Sequence, residues 1–234
     1  MSDTSHRPWP APAAPWVWAQ SWVDLAFLHW RVDSVELRKH VGGSVELETF
    51  DGHAWLGIVP FVLADFRRRG LPPLPGISTF PELNVRTYVT RDGQPGVWFF
   101  TLDAASTLFV EGAKRFYRLP YERARMSCSR VGDRVHYESA RPGAAFSGSY
   151  RGVGEVFRAE PGTLEHFLTE RYCLYTEDGT RSFRADVHHA PWDLRRGEAT
   201  IDLNTVAPVR LPDDPPHVLV AARQDVVVWP LEPI

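Results

Sequence analysis

Alternation of polar and apolar residues is the clearest local signal in the chain. Residues 44–50 alternate strictly, and Asp51-Gly52 follows before a second apolar-rich segment over 53–64. A period of two gives a strand one buried and one exposed face, and Asp-Gly between two such runs is typical of a hairpin turn. The pattern therefore predicts a β-hairpin over 44–64.

The same pattern recurs along the rest of the chain, with glycine-containing turns between extended segments. Further strands are predicted at 16–30 (where a helix is the alternative), 83–90, 97–102, 123–130, 134–139, 145–157, 181–188, 217–222 and 226–229. The turns between them fall at 91–94, 132–133 and 177–180. A proline-rich stretch over 67–79 predicts an irregular loop.

Three short helices interrupt the strands. Asp33 with Glu36 three positions later has the spacing of a capping box, which predicts a helix over 34–41 that ends at Gly42-Gly43. Apolar positions predict a second helix over 104–117 and a third over 161–172.

Hairpins joined by few helices predict an α+β fold class that is mainly antiparallel β. We expect a curved sheet or barrel with two or three flanking helices, and no parallel βαβ unit is evident. Residues 1–15 are rich in proline and predict an irregular arm, and 16–234 are predicted to form a single domain.

Composition narrows the classes of function. The formal net charge of −3 argues against nucleic acid as a partner, and the two cysteines have no metal-binding or redox spacing. We find no stretch of about 20 apolar residues and no signal-peptide core, so we expect a cytoplasmic protein without membrane contact. His188-His189 would point to opposite faces of a strand, and neither a metal nor a cofactor is expected.

A polar row stands out at the start of the strand predicted over 83–90. Glu82, Asn84 and Arg86 alternate onto one face. If that face lies inside a barrel, the row needs internal partners or a ligand, because an unpaired buried charge is costly. If it faces solvent, the row is an ordinary strand exterior, and the sequence leaves both interpretations open.

Lys114-Arg115 and His29 are the other candidates. A lysine beside a second cation in a poorly solvated site has a lowered pKa and can act as an amine nucleophile. The alternative is a lysine on the solvent side of the helix over 104–117. His29, next to Trp30, is either a buried core histidine or part of a pocket wall.

Six ordered segments resemble the YqjF-like family of conserved bacterial proteins, a domain of unknown function. They are residues 24–30 (DLAFLHW), 47–55 (LETFDGHAW), 59–61 (VPF), 70–76 (GLPPLPG), 80–89 (FPELNVRTYV) and 99–103 (FFTLD). This family in turn distantly resembles acetoacetate decarboxylase, which implies a curved antiparallel barrel with a central pocket. By position, Lys114 and Arg115 would match the lysine pair of that enzyme and Glu82 its glutamate. The second residue of the pair is arginine here, which departs from the pattern.

Three functions follow from these features. The first is binding of a small anionic or carbonyl-containing ligand in a central cavity. The residues expected to line that cavity are His29, Glu82, Asn84, Arg86, Lys114, Arg115 and Tyr121. The second is a Schiff-base lyase, of decarboxylase or aldolase/dehydratase type, with Lys114 as nucleophile and Glu82 as the proton-transfer group. The third is a non-catalytic interaction module that docks through its tryptophan-rich start. Self-association into a homo-oligomer is left open.

Overall fold

The computed structural model describes residues 3–74, 77–179 and 181–234, with the backbone alone described at Phe116. The elements are, in chain order, β1 (Trp18–Val32), α1 (Ser34–Arg38), β2 (Glu46–Leu47), β3 (Ala54–Arg68), β4 (Phe80–Arg91), β5 (Gln94–Ala104), α2 (Thr107–Tyr117), β6 (Tyr121–Arg123), β7 (Arg125–Val131), β8 (Arg134–Arg141), β9 (Ala144–Phe157), α3 (Leu164–Thr169), β10 (Cys173–Asp178), β11 (Arg181–His189), β12 (Leu194–Asn204), β13 (His217–Val228) and β14 (Glu232–Pro233). Parts of three predicted features lie outside the described residues: positions 1 and 2 of the arm, 75 and 76 of the proline-rich loop, and 180 of the turn over 177–180. The side chain of Phe116 in the second predicted helix is not described either.

The strands form one sheet, seven of whose strands close into a ring. The order of its strands is β14-β11-β10-β5-β4-β3-β1-β13-β12-β9-β8-β7. In addition β11 pairs with β13, and this pairing closes the strands from β11 to β13 into a ring. The ring therefore consists of β11, β10, β5, β4, β3, β1 and β13. Most pairings are antiparallel. The predicted fold class, a mainly antiparallel curved sheet or barrel with flanking helices, is confirmed.

The strands that leave the ring at β13 fold against its outer surface. Leu28, Ile58 and Val85 on ring strands pack with Tyr137 and Phe146 of this side sheet in one buried cluster. A second cluster, with Phe27 and Phe61 as members, fills much of the ring interior. Successive residues of a strand point to opposite faces, so Phe27 and Leu28 belong to different core clusters.

The hairpin predicted over 44–64 is only partly present. Asp51 and Gly52 have positive φ values of 50° and 76°, and Phe50 and His53 exchange two backbone hydrogen bonds of 2.9 and 3.0 Å. The expected first strand, however, is reduced to β2, which pairs with β4. Both edges of β3 are already occupied by β1 and β4, so residues 44–50 have no free edge there.

Several other predicted boundaries were wrong. The helices are shorter than expected, since α1 ends at Arg38 and α3 begins at Leu164 after the N-cap Thr163. The strands β10 and β12 were not predicted, and β13 is one strand where two were expected. The pairing of β5 with β6 is parallel, so β5, α2 and β6 form the βαβ unit that the sequence did not indicate.

Residues 3–17 contain no helix or strand and lie against the ring. Arg7 is buried and donates to the carbonyl oxygen of Val187 at 2.5 Å and to Asp186 at 2.9 Å. Its guanidinium also lies 5.6 Å from the ring centre of Trp9. No helix in the described ranges is both long enough and apolar enough to cross a membrane.

Candidate functional site

The ring encloses a cavity of about 260 Å³. Each of the seven ring strands contributes lining residues, and α2 covers one side with Phe109, Gly112 and Ala113. Leu108, also a lining residue, is largely exposed, so the cavity reaches solvent beside this helix. For scale, an apolar cavity of about 150 Å³ accommodates benzene, so this one has room for a larger organic molecule.

The polar row of β4 lies on the inner face of the ring. Glu82, Asn84 and Arg86 all line the cavity and are 3 %, 6 % and 7 % exposed. The residues between them, Leu83 and Val85, point outward into the core shared with the side sheet. Of the two interpretations left open by the sequence, the structure supports the interior one.

Arg86 is a buried guanidinium without an acidic partner. Its Nη2 donates to the carbonyl oxygen of Leu168 at 3.1 Å and to the hydroxyl of Tyr88 at 3.4 Å, while Nε has no acceptor. The described residues provide no carboxylate within ion-pair distance of it. Arginine keeps its charge in proteins, so this positive charge persists inside a mostly apolar cavity.

Arg171, the other arginine in the lining, is neutralised by the protein itself. Its Nη1 donates to Glu48 at 2.5 Å and its Nε to the carbonyl oxygen of Phe167 at 2.7 Å. Burial lowers the pKa of Arg171, and Glu48 opposes this effect. Of these two arginines, Arg171 has a carboxylate partner and Arg86 has none among the described residues.

His29 lies behind Arg86 rather than in the cavity wall. Its Nε2 is 2.5 Å from the hydroxyl of Tyr88, which donates to the carbonyl oxygen of Leu168 at 2.7 Å. Burial, followed by the neighbouring Arg86, holds the pKa of His29 well below its usual range. A neutral His29 that donates to Tyr88 is the form this network requires.

Gly57 makes this network sterically feasible. It stands between His29 of β1 and Arg86 of β4 in the strand register. A Cβ atom at this position would lie 2.7 Å from Nε2 of His29 and 3.5 Å from Cγ of Arg86. The absent side chain therefore lets the histidine pack directly against the arginine that it supports.

Glu82 and Tyr121 form the other polar end of the row. The Tyr121 hydroxyl is 3.3 Å from each carboxyl oxygen of Glu82. Burial raises the pKa of Glu82 to about 8, a rise that the Tyr121 hydrogen bond moderates, and burial also raises the pKa of Tyr121 well above its usual value. Glu82 is therefore mainly a neutral acid at pH 7, able to donate as well as accept a hydrogen bond.

Asn84 stands between these two ends. Its Oδ1 is buried without a hydrogen-bond partner. A buried amide oxygen without a partner costs about 1–3 kcal/mol, which a hydrogen-bond donor on a ligand would recover. The row therefore presents a cation, an amide and a neutral acid to whatever occupies the cavity.

Lys114 and Arg115 lie apart from this site. Together with Arg118 and Asp178 they line a separate surface depression, on a part of α2 turned away from the cavity. The side chain of Lys114 is 42 % exposed and its Nζ is 3.5 Å from Glu122. Lys39, the second lysine of the chain, is exposed and pairs with Glu36. No lysine amine therefore reaches the cavity.

Much of the lining has no local signal in the sequence. Arg171 comes from a segment without a recognisable motif, His189 was considered only as a metal ligand, and Trp192 lies in a loop after β11. Trp22 and Trp192 stack with ring centres 5.8 Å apart, and Phe27 meets Trp192 edge-on at 4.9 Å. Only the closure of the ring brings these side chains together.

A closed ring with a side sheet and a buried polar cavity defines a fold class, that of the acetoacetate decarboxylase-like proteins. The enduracididine biosynthesis enzyme MppR, solved with the condensation product of pyruvate and imidazole 4-carboxaldehyde, matches with a TM-score of 0.67 at 13 % identity, covering 94 % of this chain and 90 % of that one. Acetoacetate decarboxylase from Legionella pneumophila matches with a TM-score of 0.65 at 10 % identity, covering 98 % and 93 %. At such low identity the likeness concerns the fold alone.

The particular family follows from the sequence comparison. The model of DUF2071, described as an uncharacterized conserved protein, matches residues 19–225. The uncharacterized protein YqjF of Bacillus subtilis (strain 168) is 44 % identical over 226 residues, or 94 % of this chain and 93 % of that protein. The chain belongs to the DUF2071 family, and the resemblance to YqjF-like proteins seen in its motifs is confirmed.

Proposed function

We propose that this protein binds a small organic anion in the ring cavity, with a carboxylate of the ligand against Arg86. The observation that carries the proposal is the buried guanidinium, which has no acidic partner in the described part of the chain. A charge-assisted hydrogen bond contributes about 1.5–3 kcal/mol, which corresponds to roughly 10- to 150-fold in affinity. The remaining lining is largely apolar, as is usual for small-molecule sites.

Two structural neighbours lend support to this chemistry without assigning a ligand here. MppR was solved in complex with pyruvate and with a pyruvate condensation product. Both molecules are small enough for a cavity of about 260 Å³. These complexes support an anionic or carbonyl-containing molecule as the class of ligand for this chain.

The Schiff-base alternative has less support from the geometry. Imine formation requires an amine next to the bound carbonyl group. Lys39 and Lys114 both point to solvent, and each pairs with a surface glutamate. Glu82 keeps a role in either function, as a neutral acid that can donate to a ligand oxygen.

The interaction-module alternative also has less support. Of the tryptophans near the start, Trp30 is buried, Trp18 stacks on Phe66 with ring centres 4.9 Å apart, and Trp22 lines the cavity. Trp9 and Trp16 are each covered by an arginine guanidinium. The tryptophans near the start therefore pack against other side chains or line the cavity, rather than forming an exposed docking surface.

The experiment is a calorimetric titration of the protein with small carboxylates, among them pyruvate and acetoacetate, and with the corresponding neutral amides. We expect at least one carboxylate to bind at least tenfold more tightly than its amide, and Arg86→Gln to abolish the difference. Arg158→Gln, which removes an exposed arginine paired with Asp193, is the matched control and should change nothing. Equal binding of acids and amides would refute the proposal.

A further inference from the structure

The walls between Arg86 and Glu82 are aromatic to an unusual degree. They include the stacked pair Trp22 and Trp192 and, near Glu82, Phe109 with its ring edge-on to Tyr121 at 5.2 Å between centres. Aromatic side chains favour offset-stacked or edge-to-face contact with another ring. A short keto acid would leave most of this surface uncovered, whereas a ring-containing ligand would cover it.

The two polar ends set the length of that ligand. Glu82 and Arg86 are four residues apart on one strand, so their Cα atoms are separated by about 13 Å. Because both side chains project from the same face of β4, a ligand that contacts both must be elongated. A benzene ring with a two-carbon acid chain and an opposite oxygen substituent is an elongated molecule of this kind, and the cavity is larger than one that accommodates benzene.

The end of the cavity at Glu82 determines which polar group the far end of the ligand can carry. The carboxyl is buried with no cation in ion-pair distance among the described residues, and it shares its hydrogen bonding with Tyr121. A second carboxylate on the ligand would be repelled here once Glu82 ionises, whereas a hydroxyl or carbonyl oxygen can exchange hydrogen bonds with both side chains.

The geometry points to an aromatic carboxylic acid as the ligand class, with its carboxylate at Arg86, its ring between the tryptophans and the phenylalanines, and a hydroxyl or carbonyl oxygen at the Glu82–Tyr121 pair. This inference rests on the proposed function, because it assumes that Arg86 binds a carboxylate. It adds two features of the ligand that Arg86 does not determine, an aromatic ring and an oxygen atom at the end away from the carboxylate.

The test is a titration with 3-(4-hydroxyphenyl)propionate and three analogues, followed by the intrinsic tryptophan fluorescence, to which Trp22 and Trp192 of the cavity wall contribute. Propionate lacks the ring, 3-(4-hydroxyphenyl)propanamide lacks the charge, and 3-phenylpropionate lacks the far oxygen. We expect the full acid to bind at least tenfold more tightly than propionate or the amide, and severalfold more tightly than 3-phenylpropionate. In Glu82→Met, which keeps Tyr121, the difference in affinity between the two aromatic acids should become smaller.

The outcomes separate this inference from the proposed function. If propionate or pyruvate binds as tightly as the aromatic acids, the inference is overturned and the carboxylate site stands. If the two aromatic acids bind equally to the unmodified protein, the assignment of the far oxygen to Glu82 is overturned. If no carboxylate binds more tightly than its amide, the proposed function fails as well. The comparison among ligands uses the unmodified protein, so it holds even if Glu82→Met does not fold.

Discussion

The buried acid Glu82 makes a quantitative prediction about stability. In the unfolded chain its pKa has the ordinary value of 4.5, and burial in the ring raises it to about 8. Replacing it with glutamine keeps the size and the hydrogen bond to Tyr121 and removes the ionisation. The variant therefore isolates the cost of placing a titratable group in this cavity.

The sign and the size follow from proton linkage. Between pH 4.5 and 8 the folded protein holds a proton on Glu82 that the unfolded chain has lost, so the free energy of unfolding falls as the pH rises. A pKa that changes from 4.5 to about 8 corresponds to a loss of about 5 kcal/mol, since one pKa unit is about 1.4 kcal/mol. The contribution of neutral Glu82 is complete below pH 4.5 and is lost by about pH 8.

Urea denaturation of the wild type and of Glu82→Gln at intervals from pH 5 to pH 9 measures this effect. We expect the free energy of unfolding of Glu82→Gln to rise, relative to that of the wild type, by up to about 1.4 kcal/mol for each pH unit. This difference should level off above pH 8. Glu155→Gln, at an exposed position without an ion pair in the described structure, is the control. Its free energy of unfolding should differ from that of the wild type by the same amount at every pH. A constant difference between wild type and Glu82→Gln at every pH would show that Glu82 has no raised pKa in the folded protein.

Three further predictions test other parts of the structure. Gly57→Ala should lower the free energy of unfolding by about 1–3 kcal/mol through the clash of its Cβ, while Gly43→Ala, whose Cβ would meet no atom within 4 Å, should be nearly neutral in urea denaturation. Asp103→Asn should cost about 2–4 kcal/mol in the same assay, because Asp103 is fully buried and pairs with Arg141 at 2.7 Å, whereas the exposed Asp193→Asn should cost less than about 1 kcal/mol. Borohydride reduction in the presence of acetoacetate or pyruvate should leave Lys114 unmodified in peptide mapping, and an adduct that disappears in Lys114→Arg would restore the Schiff-base alternative.

Local pattern was sufficient for the parts of the fold that depend on one strand and its turn. The turns at Asp51-Gly52 and at residues 132–133 have the positive φ values that their glycines suggested. Period-two alternation also grouped Glu82, Asn84 and Arg86 correctly on one face. The sequence could not tell which face was inside, because that depends on the pairing of β11 with β13, which closes the ring.

Lys114, His29 and residues 44–50 differ from the expectations because of contacts that other parts of the chain make. Lys114 lies on a helix that covers the cavity with its other side, and a helix of this length presents both faces within a few residues. His29 alternates correctly with its neighbours, yet it is separated from the cavity by Arg86, which the missing side chain of Gly57 allows to approach. Residues 44–50 have the alternation of a full strand, but they cannot pair with β3 because β1 and β4 occupy both of its edges.

The proposed function depends on one contact, that of a ligand carboxylate with the guanidinium of Arg86 inside the ring. The most direct measurement is the ¹⁵N–¹H NMR signal of the Arg86 guanidinium, assigned by its absence in Arg86→Lys, during titration with an aromatic carboxylate and with its amide. We expect a saturable shift of this signal with the acid and none with the amide. If a carboxylate saturates the protein while the Arg86 signal stays unchanged, the carboxylate binds elsewhere and the proposed function is wrong.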